Sequence, residues 1–382
     1  MTTALETFRI RATDDQLADL RMRLRATRWP NKETVGDWTQ GVPLAYLQDV
    51  VTYWANTYDW RAREARMNAF PQFRLRVGGL GIHFIHARSS HADALPLIMT
   101  HGWPGSVVEF LKVIEPLTEP QKHGGRARDA FHVVCPALPG YGFSDKPTQT
   151  GCGVEKIAEL WDELMCALGY PRYFAQGGDW GAAVTTQIAS QNRGHCRGIH
   201  LNLALAPPTP EALANPTEAD QAAFAAAKRY GDSESGYAIQ QLTRPQTVGY
   251  GLADSPAGQA AWILEKFWSW TDCDGHPENV LSRDELLDNV MMYWLCDSGA
   301  SSARLYWESF RTFNREGGPI TLPMGCSNYP KELAQPPRSW VERRYQRIVY
   351  WNRLTKGGHF AAFEQPATFV QELRACFALM RS

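Results

Sequence analysis

The apolar positions of the first 70 residues recur at helical spacing. Leu17, Leu20 and Leu24 share one face behind a Thr13-Asp14-Asp15-Gln16 capping box, and Trp29-Pro30 is expected to stop that helix. A second helix is predicted over 44–57, with Leu44, Leu47, Val51 and Trp54 on its stripe. Neither helix could bury its stripe alone, so both are expected to dock on the remainder of the chain. At Phe73 the period falls to two. Phe73-Arg74-Leu75-Arg76-Val77 and Ile82-His83-Phe84-Ile85-His86 alternate around a glycine-rich turn, which predicts a hairpin. Short apolar runs come next at 95–100, 131–136, 173–175 and 198–203, separated by helical stretches. One such helix is predicted over 154–168, ended by Gly169. The alternation lapses at 207–313 and resumes with strands at 320–324 and 348–351 and a last helix after Pro366.

Strand–helix alternation predicts an α/β fold with a mostly parallel central sheet covered on both faces. The expected organisation is an N-terminal helical wrap at 1–72, a core at 73–206 and 314–382, and a helical lid inserted at 207–313. The 39 Lys and Arg against 40 Asp and Glu leave no basic excess for nucleic acid. No apolar run approaches the ~20 residues of a membrane span, and the start has no signal-peptide pattern. None of the eight cysteines forms a C-x-x-C pair, so no zinc or redox spacing is present and a cytoplasmic location is expected. No metal and no organic cofactor are expected.

Gly177-Gly178-Asp179-Trp180-Gly181 lies between a strand and a helix. This is the G-x-S-x-G nucleophile elbow of α/β-hydrolases with Asp in place of Ser. The outer glycines are needed because side chains there would meet the strand and the helix. His101-Gly102-Trp103-Pro104-Gly105-Ser106 follows the 95–100 strand, where such folds build an oxyanion hole. That nominates the backbone amides of Trp103 and Trp180. Gly357-Gly358-His359-Phe360 follows the last strand, where the base of a triad belongs. Between Pro323 and His359 the only acids are Glu332 and Glu342. Glu342 sits beside Arg343 and Arg344 and reads as a surface ion pair, so Glu332 is the expected partner of His359.

A carboxylate nucleophile suits displacement at saturated carbon. It gives an alkyl ester, which an activated water can then hydrolyse at the carbonyl. An epoxide oxygen and a halide are the natural leaving groups. The first wants a proton donor such as a phenol; the second does not.

With these motifs, and with Ser235-Gly236-Tyr237-Ala238-Ile239-Gln240 and Asp254-Ser255-Pro256-Ala257-Gly258 in the insertion, the chain resembles the microsomal-type epoxide hydrolases over nearly its whole length. It resembles their soluble bacterial members, since the membrane anchor of the mammalian pattern is missing. The resemblance implies Asp179 as nucleophile, His359 as base and Glu332 as its charge partner. It also implies Tyr237 and Tyr306 as donors to the epoxide oxygen, which the residues alone do not select from Tyr230, Tyr250 and Tyr293. A cis Trp103-Pro104 bond is implied as well. The expected partner is a small-molecule epoxide, with no nucleic acid and no membrane anchor; a homodimer is left open. Trp262, Trp268 and Trp294, among other lid aromatics, are the expected substrate-binding residues for a bulky or aromatic epoxide. A haloalkane or haloacid dehalogenase and a non-catalytic ligand receptor stay open as alternatives on the same scaffold.

Overall fold

The computed structural model describes residues 5–313 and 318–381. The expected start of the second core segment, at 314–317, and the first four residues lie outside this range. Nine strands form one sheet: β1 (Glu6–Phe8), β2 (Gln72–Val77), β3 (Leu80–Ala87), β4 (Leu95–Thr100), β5 (Phe131–Pro136), β6 (Tyr173–Gly177), β7 (Cys196–Leu201), β8 (Met324–Asn328) and β9 (Ile348–Arg353). Their spatial order is β1-β2-β3-β5-β4-β6-β7-β8-β9. The pairs β1/β2, β2/β3 and β3/β5 are antiparallel. Every pair from β5/β4 to β8/β9 is parallel. Ile98, Val133, Val134, Ala175 and Ile199, on the central strands, are fully buried, as a parallel sheet packed on both faces requires.

Several elements depart from the expected pattern. The 320–324 strand is displaced: β8 starts at Met324, and Ile320 makes only an isolated bridge to Tyr345. The polar run Gly325-Cys326-Ser327 hides this buried strand in the sequence. Ser327 can be buried because it donates to Glu372 at 2.6 Å and meets His200 Nε2 at 2.9 Å. β7 begins two residues before the expected start and releases the chain after Leu201. β1 is three residues long, too short to carry a period. The first helix, Asp14–Arg25, has the expected capping box but ends before Trp29-Pro30. A third N-terminal helix, Trp60–Met67, is absent from the expected pattern. Its buried stripe is Trp60, Glu64 and Met67, and a Glu in that position masks it. Glu64 is tolerated there because it accepts from the Ala12 amide at 2.6 Å and from the Trp60 indole at 3.1 Å.

Between β7 and β8 the chain is helical from Pro210–Ala214 to Gly299–Phe313. The N-terminal helices dock on this segment. Arg63 pairs with Asp288 at 2.5 Å, and the Tyr58 and Tyr53 phenols donate to Asp288 and Asp284, each at 2.8 Å. Among the described residues, no helix is long and apolar enough to cross a membrane. All eight cysteines are free.

Candidate active site

The turn after β6 sets Asp179 at φ 49°, in the left-handed region that a non-glycine residue rarely adopts. It also opens the helix Asp179–Gln191. The turn is this tight because its flanks lack side chains. A Cβ on Gly177 would lie 2.0 Å from the Gly181 carbonyl oxygen, and one on Gly181 would lie 1.9 Å from that of Thr100. Gly178 is not constrained in this way, since a Cβ there would first meet Asn202 at 3.8 Å. Gly102 is a third requirement that the sequence does not reveal: its Cβ would fall 2.0 Å from Asp179 Oδ1. The nucleophile elbow and the loop after β4 are thus in direct contact.

That contact carries a hydrogen bond. The Trp103 amide donates to Asp179 Oδ1 at 2.8 Å, and the Trp103–Pro104 bond is cis. The lid helix Arg283–Trp294 fixes the loop from outside. Asn289 donates to the Pro104 carbonyl at 2.7 Å and accepts from Ser106 at 2.8 Å, while Tyr293 donates to the Gly105 carbonyl at 2.7 Å. The Trp180 indole packs edge-on to Tyr306 at 4.8 Å.

His359 bridges the two carboxylates. Its Nε2 lies 3.2 Å from Asp179 Oδ2, and its Nδ1 lies 2.5 Å from Glu332 Oε1. Burial of the ring opposes its charged form, but Glu332 and Asp179 together outweigh that and hold its pKa well above the ordinary histidine value. The Leu333 amide donates to Glu332 Oε1 at 2.7 Å. Glu342, the other acid in this stretch, pairs with Arg338 at 2.6 Å on the surface. The loop carrying His359 is strapped to the end of a lid helix. The His359 amide donates to the Trp270 carbonyl at 2.8 Å, and the Gly357 amide donates to Asp272 at 2.9 Å.

Tyr237 and Tyr306 are buried and face Asp179 across a cavity of about 250 Å³. Its remaining walls are mostly apolar, among them Leu203, Leu205 and Ala334. The two phenol rings are 5.8 Å apart, and Trp103 stacks on Tyr237 at 4.8 Å. Burial, with the Asp179 charge nearby, pushes both phenols well above their ordinary pKa. The Tyr230 hydroxyl lies 3.1 Å from that of Tyr237, a partner with no signal in the sequence. The expected binding tryptophans do not line this cavity. Trp262 bonds Gln241, Trp268 stacks on Trp38 at 5.1 Å, and Trp294 lies beneath Arg23. They serve lid and surface packing; the cavity's aromatic wall is Trp180, Tyr230, Tyr237, Tyr306 and Phe310.

Comparison with known proteins agrees with this geometry. Residues 5–110 match the epoxide hydrolase N terminus family, and residues 96–252 match the alpha/beta hydrolase fold. A provisionally named epoxide hydrolase of Stigmatella aurantiaca is 56% identical over 98% of this chain and 85% of its own. Epoxide hydrolase 1 of Sus scrofa is 35% identical over 99% of this chain and 89% of its own. The crystal structure of juvenile hormone epoxide hydrolase from the silkworm Bombyx mori superposes with a TM-score of 0.91 at 33% identity, covering 99% of this chain and 95% of that one. A carboxylate at the elbow facing two phenols, in a chain alike from end to end, leaves one assignment: this protein belongs to the epoxide hydrolase family, on the α/β-hydrolase fold.

Proposed function

We propose that this epoxide hydrolase converts an uncharged, apolar epoxide to a vicinal diol through an ester on Asp179. The observation that carries the proposal is the pair of buried phenols facing the elbow carboxylate across an apolar cavity. Asp179 Oδ1 is held by the Trp103 amide, which leaves Oδ2 to attack a ring carbon. As the carbon–oxygen bond breaks, its electron pair moves to the epoxide oxygen. Tyr237 and Tyr306 bind that oxygen, and one of them donates its proton. Both phenols are protonated at neutral pH, as donors must be. The net proton that restores the phenol comes from His359, whose hold on it weakens once the Asp179 charge has become a neutral ester.

Neutral His359 then takes a proton from water, and the hydroxide adds to the ester carbonyl carbon. The amides of Trp103 and Trp180 stabilise the resulting oxyanion. Collapse breaks the bond to the alkyl oxygen, which takes the proton back from His359. The Asp179 carboxylic acid left behind passes its proton to His359 Nε2, 3.2 Å from Oδ2, which restores the carboxylate paired with the imidazolium. Glu332 orients the ring and stabilises its charge.

The paired phenols are what favours an epoxide over a halide, because a halide leaves without a proton. The apolar walls support a bulky or aromatic substrate. Eight free thiols suit a reducing compartment, and the proposed location is the cytoplasm. The test is turnover of a panel of aryl and alkyl epoxides and haloalkanes by the native protein, Tyr237→Phe, Tyr306→Phe and the double variant. Diol formation from epoxides is expected. Losing the phenols should slow alkylation by about 10²–10⁴-fold for the pair. A preference for haloalkanes, or wild-type epoxide turnover by the double variant, would contradict the proposal.

A further inference from the structure

Glu109 is a buried carboxyl beside the site that the proposed reaction steps do not use. It lies in the short helical turn Val107–Phe110 after the Trp103 loop and is 9% exposed. Its side chain folds back over Gly105, where a Cβ would come within 1.5 Å of Glu109 Oε1; only glycine leaves that path open. With Gln176, Asn202, Asp179 and His359 it lines a small cavity of about 20 Å³, distinct from the apolar one that holds the phenols. A water needs about 10–15 Å³ of such space and two to four polar partners. Gln176, in the lining of the same cavity, is 2% exposed and spends its amide group on Asn202 Oδ1 at 2.9 Å. Its Oε1 has no hydrogen-bond partner. The cavity therefore gathers a base, a carboxyl and an acceptor without a partner, and shares Asp179 with the apolar cavity.

We propose that this cavity binds the water that hydrolyses the Asp179 ester, and that Glu109 and Gln176 are positioning residues that hold it against His359. The proposal rests on the covalent Asp179 mechanism. The water donates one proton to His359 Nε2 as its oxygen bonds to the Asp179 carbonyl carbon; its other hydrogen is held by Glu109 or Gln176 and stays on the oxygen. Glu109 suits an accepting role that needs no charge. Burial pushes its carboxyl up to about 8, against the pull of His359, so at neutral pH it is largely the acid, with a carbonyl oxygen still free to accept.

The two half-reactions separate this role from plain packing. Glu109→Met keeps the side chain's length and removes both oxygens, whereas Glu109→Gln keeps an accepting oxygen. Gln176→Met removes the second acceptor of the cavity lining. Each protein would be mixed with styrene oxide in a single turnover, quenched, and read by intact mass for the alkylated fraction over time. Glu109→Met and Gln176→Met are expected to alkylate at near wild-type rates and to lose the ester about 10–100-fold more slowly. Glu109→Gln is expected to recover most of the hydrolytic rate. Equal loss of both half-reactions, equal behaviour of the Met and Gln variants at 109, or unchanged ester hydrolysis would overturn the proposal. If no protein forms an ester, His359→Gln included, the covalent mechanism itself fails and takes this proposal with it.

Discussion

His359 Nε2 stands 3.2 Å from Asp179 Oδ2, so the proposed base of the second half-reaction is ion-paired with the proposed nucleophile of the first. The pair holds the resting imidazole protonated, with a pKa well above the ordinary histidine value despite burial, through Glu332 and Asp179. Ester formation removes one of those two charges. The His359 pKa should therefore be lower in the alkyl-enzyme than in the free enzyme. Ester decay should slow as pH falls, with a midpoint below the value of free His359. Single-turnover decay across pH, set beside an NMR titration of the free protein, measures both. Equal midpoints would mean that Asp179 does not hold the proton on His359.

The same pair predicts a stability trend. A histidine whose folded pKa is raised adds stability that is complete below the unfolded value, about 6.5, and fades as pH rises through the folded one. The Tm advantage of the native protein over His359→Gln should shrink as pH rises above about 6.5. An advantage that grows with pH would have the wrong sign.

The glycines around Asp179 differ in what they protect. Gly102→Ala drives a methyl to 2.0 Å from Asp179 Oδ1 and should lower kcat/KM by about 10²-fold, the cost of displacing a reacting group by about 1 Å. Gly178→Ala meets nothing closer than 3.8 Å at φ −119° and should leave activity within a few fold. Steady-state assays of the two variants check the ordering; a reversed order would contradict the geometry.

The N-terminal helices are held to the lid by a largely buried ion pair. Arg63 meets Asp288, whose side chain is only 3% exposed. Arg63→Met leaves that carboxylate, among the described residues, with the Tyr58 phenol and should destabilise the fold by about 3–5 kcal/mol. Urea unfolding gives the value, and a change under about 1 kcal/mol would show that the contact is not retained in solution.

Legibility follows the physics of each signal. β4 and β5 match the expected runs to the residue because they are mostly apolar stretches in the interior of the sheet. β8 departs from its expected place because Gly325 and Ser327 are buried without being apolar. Asp179, Glu332 and His359 are readable because each occupies a turn at a fixed point of the chain order. Tyr237 and Tyr306 come only through family likeness, since a phenol that lines a cavity from a helical lid has the same local sequence as a core tyrosine. Gly102, Tyr230 and Glu109 cannot be read at all. Their significance lies in contacts between segments: Gly102 against Asp179, Tyr230 against Tyr237, Glu109 against Gly105.

The most direct test of the account is a single turnover in H₂¹⁸O with enzyme in excess over the epoxide. If Asp179 is alkylated and the ester is cleaved at its carbonyl carbon, the first diol carries an oxygen from the enzyme. The heavy atom then appears in the Asp179 carboxylate, where peptide mass analysis finds a gain of about two mass units. Heavy oxygen in the first diol, with an unlabelled Asp179, would mean that water opens the ring directly and that no ester forms.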